Sequence, residues 1–284
     1  MKTNLLTKAI KLISNANLYK TDMKYNFKIR DKIFTDGTHI MAILNATPDS
    51  FYSGSRLHGD AVERARRFIE QGAEVLDIGG QSTRPGAEKV SALEEMTRVV
   101  PIVEEIRAEF PDIPISVDTF YPEVAEASLG AGADMINDVS CLRYENMANV
   151  IAAHNASVCV MHDRRKSDIA DLFFDKSAGL LRAADKLVKA GVSKDRILLD
   201  GGIGFNKCSG EDWELLNGYK KLIDEIPDYP FLLGTSRKSM FGGDVADRLA
   251  PTLDSTVLAV KAGVLFVRVH DVAENKTVID VFSH

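Results

Sequence analysis

Ile113-Pro114-Ile115-Ser116-Val117-Asp118-Thr119, then Pro122-Glu123-Val124-Ala125-Glu126-Ala127-Ser128-Leu129-Gly130-Ala131-Gly132-Ala133, then Met135-Ile136-Asn137-Asp138 form one stretch whose reading decides the fold. The short apolar runs at either end suit strands covered on both faces, as in a parallel sheet. Between them, Pro122 is tolerated in a first helical turn. Val124, Ala125 and Leu129 can share one helical face, and the glycines end the helix just before the second run. Strand, helix and strand in this order predict a parallel crossover unit.

Working outward, the same rhythm fills the chain. Apolar runs occupy residues 40–44, 75–78, 113–117, 135–136, 158–161, 197–199, 231–233 and 264–267, eight in all. Ser91 with Glu94 is a capping box for a helix toward Ala108. Asp60 is placed to cap a helix through Ile69 that Gly72 ends. Gln71-Gly72-Ala73, Gly130-Ala131-Gly132-Ala133, Lys189-Ala190-Gly191-Val192 and Lys261-Ala262-Gly263-Val264 are similar exits, each just ahead of an apolar run. Eight units with no low-complexity linker predict an α/β fold, a single (β/α)8 TIM barrel over residues 36–284. An open, doubly wound sheet is the rival architecture. Residues 1–35 stand outside the rhythm and read as an N-terminal extension, a helix and a strand or hairpin that plugs the barrel bottom.

Composition narrows the function. The 284 residues are 45% hydrophobic and 27% charged, ordinary for a globular chain. A net charge of −6 argues against a nucleic-acid footprint. The three cysteines, Cys141, Cys159 and Cys208, form no CxxC pair, which excludes a disulfide framework and fits a reducing compartment. The sequence has neither a transmembrane run nor a signal-peptide core, so a cytoplasmic location without membrane contact is expected.

Polar residues gather just beyond the apolar runs: Asn45, Gly79-Gly80, Asp118, Asn137-Asp138, His162-Asp163, Asp200, Gly234-Thr235-Ser236-Arg237-Lys238 and Arg268-Val269-His270-Asp271. In a parallel barrel all of these share the C-terminal face, where active sites are built. One such aspartate alone is as readily a helix N-cap; eight polar strand ends together weaken that reading. Asp118, Asn137 and Asp200, with Lys238 as donor, suit a planar heterocycle carrying several N–H groups, because each buried donor must find an acceptor. Arg268 and His270, with Asn45 and the loop donors Thr83 and Arg84, suit an anion, since a guanidinium fork matches phosphate oxygens.

The blocks resemble those of the dihydropteroate synthases. Ile43-Leu44-Asn45-Ala46-Thr47-Pro48-Asp49-Ser50-Phe51 and Asp77-Ile78-Gly79-Gly80-Gln81-Ser82-Thr83-Arg84-Pro85-Gly86-Ala87 are similar to the first two signatures. Ser116-Val117-Asp118-Thr119, Ile136-Asn137-Asp138-Val139, Val160-Met161-His162, Leu199-Asp200-Gly201-Gly202-Ile203-Gly204-Phe205, Gly234-Thr235-Ser236-Arg237-Lys238-Ser239 and Arg268-Val269-His270-Asp271-Val272 follow in order. The resemblance runs from about residue 39 to 275.

It implies a transferase of folate biosynthesis, in a family that sulfonamides target. Such an enzyme condenses 7,8-dihydropterin-6-ylmethyl diphosphate with 4-aminobenzoate, giving 7,8-dihydropteroate and diphosphate. By that resemblance Asp118, Asn137, Met161, Asp200 and Lys238 hold the pterin. Asn45, Thr83, Arg268 and His270 hold the diphosphate, with Mg²⁺ near Asn45. Phe51, Thr83, Arg84, Pro85, Phe205, Ser236 and Lys238 face the aminobenzoate. Asp118, Asp200, Lys238, Arg268 and His270 carry the catalytic roles. Two loops, about 45–58 and 81–89, order over the substrates, and the implied assembly is a homodimer.

The chain departs from the family pattern in three places. Gly201 stands where Asp-Pro-Gly is usual, Ala46 follows Asn45 in place of Val, and Asp163 replaces the second Met of Met-His-Met. Two other readings stay open: a pterin-dependent methyltransferase of the same fold, and a non-catalytic pterin-binding paralogue. Thr83-Arg84-Pro85-Gly86 and Ser236-Arg237-Lys238 favour the synthase over the first, and the intact polar blocks weigh against the second. Elsewhere the expectations are structural. Trp213, with Leu215 and Leu216, packs a helix against the barrel, the cysteines are inert, and residues 163–177 read as a loop with Arg164-Arg165-Lys166 solvated.

Overall fold

The computed structural model describes residues 25–46, 57–81, 90–163, 170–205 and 209–283. Eight parallel strands close into a barrel in the order β10-β3-β4-β5-β6-β7-β8-β9. They are β3 (His39–Asn45), β4 (Val75–Gly79), β5 (Ile115–Asp118), β6 (Met135–Asp138), β7 (Ser157–Met161), β8 (Ile197–Asp200), β9 (Phe231–Leu233) and β10 (Phe266–Val269). The closed ring excludes the open-sheet rival. Helices follow the strands: α1 (Leu57–Glu70), α2 (Ala92–Glu109), α3 (Pro122–Gly130), α4 (Met147–Ala153), α5 (Leu172–Ala190), α6 (Ser209–Asn217), α7 (Tyr219–Glu225), α8 (Leu249–Ala262) and α9 (Val272–Phe282).

The four similar helix exits share one geometry. Gly72, Gly132, Gly191 and Gly263 adopt φ of 99°, 111°, 103° and 80°. The next residue donates back to the carbonyl five before it: Ala73 to Phe68, Ala133 to Ser128, Val192 to Leu187 and Val264 to Ala259, at 2.9–3.0 Å. This satisfies the last helical carbonyls and turns the chain straight into the next strand. Asn155 makes a fifth such exit with φ 50°, Ala156 donating to Ile151 at 3.0 Å.

Two helix starts differ from expectation. Ser91 caps α2 as read, accepting from the Glu94 N–H at 3.2 Å. Asp60 does not cap α1, because that helix starts at Leu57 and leaves Asp60 inside its first turn. There its charge still complements the helix dipole. Residues 163–177 are not all loop, since Asp171 accepts from the Phe174 N–H at 2.9 Å and α5 starts at Leu172.

An antiparallel hairpin, β1 (Phe27–Ile29) and β2 (Lys32–Phe34), stands outside the barrel. Its Phe27, Ile29 and Phe34 pack with Met41, Val75, Met135, Cys159, Leu198, Leu232 and Phe266. These barrel residues point inward at the N-terminal end, so the hairpin plugs the bottom, and Phe34 meets Phe266 edge-on at 4.8 Å. The helix expected before it lies outside the described residues. Outward-facing strand residues such as Leu44, Leu76, Ile136 and Leu199 pack against the helices.

Strand periodicity then dictates what lies above the plug. Side chains two residues on share a face. The next inward layer therefore holds Ile43, Asp77, Asn137, Met161, Asp200 and Arg268, with Asp118 two residues beyond Ser116. The barrel is apolar at the bottom and polar toward the mouth.

Candidate active site

At the mouth, Asp118, Asn137 and Asp200 are buried at the ends of β5, β6 and β8. Asp118 and Asn137 lie opposite one another in register. Met161 is fully buried beside Phe120 and Val139, with Phe205, Tyr121 and Tyr144 packed against them. Phe205 also underlies Lys238, whose Nζ sits 4.5 Å from the ring centroid and donates to the Ile203 carbonyl. Of the residues expected around a pterin, Asp118, Asn137, Met161 and Asp200 thus face the barrel interior, with Lys238 beside them over Phe205.

Arg268, expected with His270 in an anion pocket, turns inward here: its Nε donates to Asp77 Oδ2 at 2.5 Å and its Nη2 to Asp118 Oδ2 at 2.7 Å. The reason is its place on β10, two residues beyond Phe266, which turns it into the barrel interior. A cation there needs anionic partners. Asp77 Oδ2 also accepts from Asn137 Nδ2 at 3.2 Å. Two inward acceptors, Asp77 Oδ1 and Asp118 Oδ1, are buried without a hydrogen-bond partner among the described residues.

The charges perturb one another. Burial pushes the Asp118 carboxyl up to about 7, with Asp77 and Asp138 adding to the rise and Arg268 opposing it. Burial alone would lower the Arg268 guanidinium, but Asp77 and Asp118 together hold it above its ordinary value. Behind the site Glu95 of α2 is fully buried, accepts from Gln81 Nε2 at 2.6 Å, and is pushed up to about 7 by burial, against its hydrogen bond with Thr119. The helix comes this close because Gly80 lacks a side chain; a Cβ there would lie 2.7 Å from Val99 Cγ2 and 2.8 Å from Glu95 Cγ.

Ser236 and His270 form a second group. Ser236 Oγ accepts from the His270 N–H at 3.1 Å and lies 3.0 Å from its Nδ1. Next to them Arg237, at φ 56°, forks onto Asp271 through Nε and Nη2 at 2.9 and 2.5 Å. The β9 loop is thereby zipped to the end of β10, and the Ser236 hydroxyl sits with the expected anion residue. Asn45 is half-buried at the end of β3, opposite Gly79. Phe51, Thr83, Arg84 and Pro85, and the greater part of both loops, lie outside the described residues.

Asp77, Glu95 and Tyr219 are the residues that strand-end reading missed. Asp77 is inside an apolar run, and its parity with Val75 was the available signal. Tyr219 is buried with its hydroxyl donating to the Leu232 carbonyl at 2.6 Å and accepting from the Gly201 N–H at 3.0 Å. Asp200 in turn accepts from the Gly202 N–H at 2.7 Å. Asp138 is an anchor, with its two oxygens taking the Ser140 and Leu142 N–H groups at 2.7 and 2.8 Å. Asp163, the departure beside the site, is ion-paired with Arg143. Trp213 does not pack on the barrel: it is 41% exposed and meets Phe241 edge-on, while Leu215 and Leu216 fill the core. Burial raises both described thiols, Cys141 and Cys159, which suits inert cysteines.

A (β/α)8 barrel with a carboxylate- and amide-lined slot at its mouth defines a class, and the comparisons agree on it: the profile described as "Pterin binding enzyme" matches residues 41–270. A dihydropteroate synthase of Clostridium beijerinckii is 43% identical over 87% of this chain and 95% of its own. The Xanthomonas albilineans dihydropteroate synthase with 4-aminobenzoic acid is 36% identical at a TM-score of 0.85, covering 91% of this chain and 97% of that one. The Burkholderia cenocepacia enzyme complexed with 7,8-dihydropteroate is 35% identical at a TM-score of 0.81, covering 92% and 96%. The chain belongs to the dihydropteroate synthase family of pterin-binding barrels.

Proposed function

We infer that the barrel mouth condenses 7,8-dihydropterin-6-ylmethyl diphosphate with 4-aminobenzoate. The observation that carries this is the pair of buried, unpartnered carboxylate oxygens, Asp77 Oδ1 and Asp118 Oδ1, beside Asn137 and Asp200. Buried acceptors of this kind call for N–H donors, which a pterin ring supplies. In the reaction the C–O bond to the diphosphate breaks and its electron pair leaves with the diphosphate. The exocyclic carbon becomes cationic, the arylamine nitrogen bonds to it, and the amine proton is released. Asp118 as carboxylate favours the cationic carbon electrostatically. Lys238 and Phe205 border the ring. Asn45, Thr83, Arg268 and His270 hold the diphosphate, Arg268 bringing its charge from inside the slot. Phe51, Thr83, Arg84, Pro85, Phe205, Ser236 and Lys238 face the aminobenzoate.

Mg²⁺ fits this arrangement as a companion of the diphosphate. Asn45 offers one neutral amide oxygen, and no group of three or more His, Cys, Asp or Glu gathers among the described residues as a resident cage. Mg²⁺ keeps several waters and takes phosphate oxygens beside one or two protein ligands, so Asn45 would hold it. When bound, it supplies charge stabilisation to the departing diphosphate.

Among the described residues no helix is long and apolar enough to cross a membrane. Unpaired buried thiols support a cytoplasmic location. Exposed Phe174, Leu181 and Trp213 support pairing with a second copy, which light scattering on the purified protein tests. The decisive assay is diphosphate release. It should require both substrates and Mg²⁺; release without aminobenzoate, or cobalamin-dependent methyl transfer instead, would overturn the reading.

A further inference from the structure

Asp77 sits at the centre of β4 and is fully buried. Its Oδ2 binds two slot residues at once, Arg268 through Nε at 2.5 Å and Asn137 through Nδ2 at 3.2 Å. Arg268 reaches Asp118 through one nitrogen only, Nη2 to Oδ2 at 2.7 Å, and Asp118 Oδ1 stays without a partner among the described residues. That arrangement is unusual. A guanidinium beside a carboxylate tends to close a two-pronged fork over both oxygens. Here the Nε prong is drawn away to Asp77, so the fork stays open.

We propose that Asp77 is the positioning residue of the slot: by holding Arg268 and Asn137 it keeps Arg268 from closing on Asp118, and so leaves Asp118 Oδ1 for an N–H group of the pterin. The proposal rests on the pterin reading of the barrel mouth. Without Asp77, Arg268 is released to take both oxygens of Asp118 and compete with the ligand as an internal cation. Asn137 loses its anchor in the same step.

A neutral packing role and this role predict different epistasis. Titration calorimetry with 6-hydroxymethylpterin, which carries no phosphate, reads the slot apart from the anion pocket. Asp77→Ala should weaken its binding at least tenfold. Adding Arg268→Ala to Asp77→Ala should recover affinity at least threefold, because the competing cation is gone. Asp77→Ala affinity within twofold of wild type, or a double variant no tighter than Asp77→Ala, overturns the proposal. If Asp77→Ala does not fold, Asp77→Asn takes its place, since a neutral amide oxygen holds the Arg268 cation more weakly than a carboxylate does.

Nuclear magnetic resonance on the wild-type protein gives an independent reading. The Arg268 Nε–H signal, assigned by its loss in Arg268→Lys, should exchange slowly with solvent in the free protein. Rapid exchange means that Asp77 holds nothing, and the proposal falls. A wild type that binds no pterin overturns the pterin reading and the proposal together. A wild type that binds it, with Asp77→Ala unaffected, overturns the proposal alone.

Discussion

Glu95 makes stability depend on pH in a direction opposite to most surface carboxylates. It is fully buried, and burial raises it from 4.5 to about 7, with the Asp118 charge adding to the rise while Thr119, Gln81 and Arg98 oppose it. Below pH 4.5 the folded and unfolded chains both hold the proton. Between 4.5 and about 7 only the folded chain does, so stability falls as the pH rises. Above about 7 neither holds it, and the loss is complete. The interval corresponds to about 3 kcal/mol, at roughly 1.4 kcal/mol for each pH unit. Glu95→Gln keeps the shape and can still accept from the Gln81 amide, but it has no proton to lose. Relative to wild type the variant should therefore gain about 3 kcal/mol between pH 4 and 8, or roughly 6 °C in melting temperature for a chain of this size. Asp118 titrates in the same range and its charge adds to the Glu95 rise, so the difference between the two proteins reads Glu95 together with its coupling to Asp118. Thermal unfolding at half-unit pH steps measures it. Parallel wild-type and Glu95→Gln curves would refute the reasoning.

Four further outcomes are expected. Asp118→Asn should fold and bind pterin more weakly by about 1–3 kcal/mol, because an amide turns an N–H toward a ring donor; unchanged calorimetric affinity would remove Asp118 from the slot. Tyr219→Phe orphans the Gly201 N–H and the Leu232 carbonyl and should cost about 2–4 kcal/mol of unfolding free energy. Gly201→Pro crowds Tyr219, to which a Cβ would come within 3.0 Å, but it also deletes the N–H, so its cost should shrink by about 1 kcal/mol or more in the Tyr219→Phe background; strict additivity in urea titrations would contradict this. Aminobenzoate should bind poorly alone and well with pterin, diphosphate and Mg²⁺ present, a coupling that must be reciprocal; equal affinity in both conditions means a preformed site.

The barrel was legible because local physics repeats. Each buried strand reads as a short apolar run, and four helix exits as a glycine in the left-handed region followed by that run. Phe231–Leu233 is the same in both readings, while β5, β6 and β8 each extend to a polar residue past their runs. Those polar ends are why Asp118, Asn137 and Asp200 could be found from order along the chain. Asp60 does not reveal its place from sequence because an aspartate is favourable both as a cap and as a charge in the first turn.

Other features had no local signal. Arg268 finds Asp77 across 191 residues and Asp118 across 150, and nothing near Arg268 in the chain distinguishes an arginine aimed at diphosphate from one turned into a carboxylate pair. Asp77 was hidden inside an apolar run, and the Gly201–Tyr219 bond joins a loop to a helix. Periodicity along one strand says which residues share a face. Only closure of eight strands into a ring makes those faces a common interior, where low dielectric obliges every charge to find a partner, and that obligation decided the chemistry of this mouth.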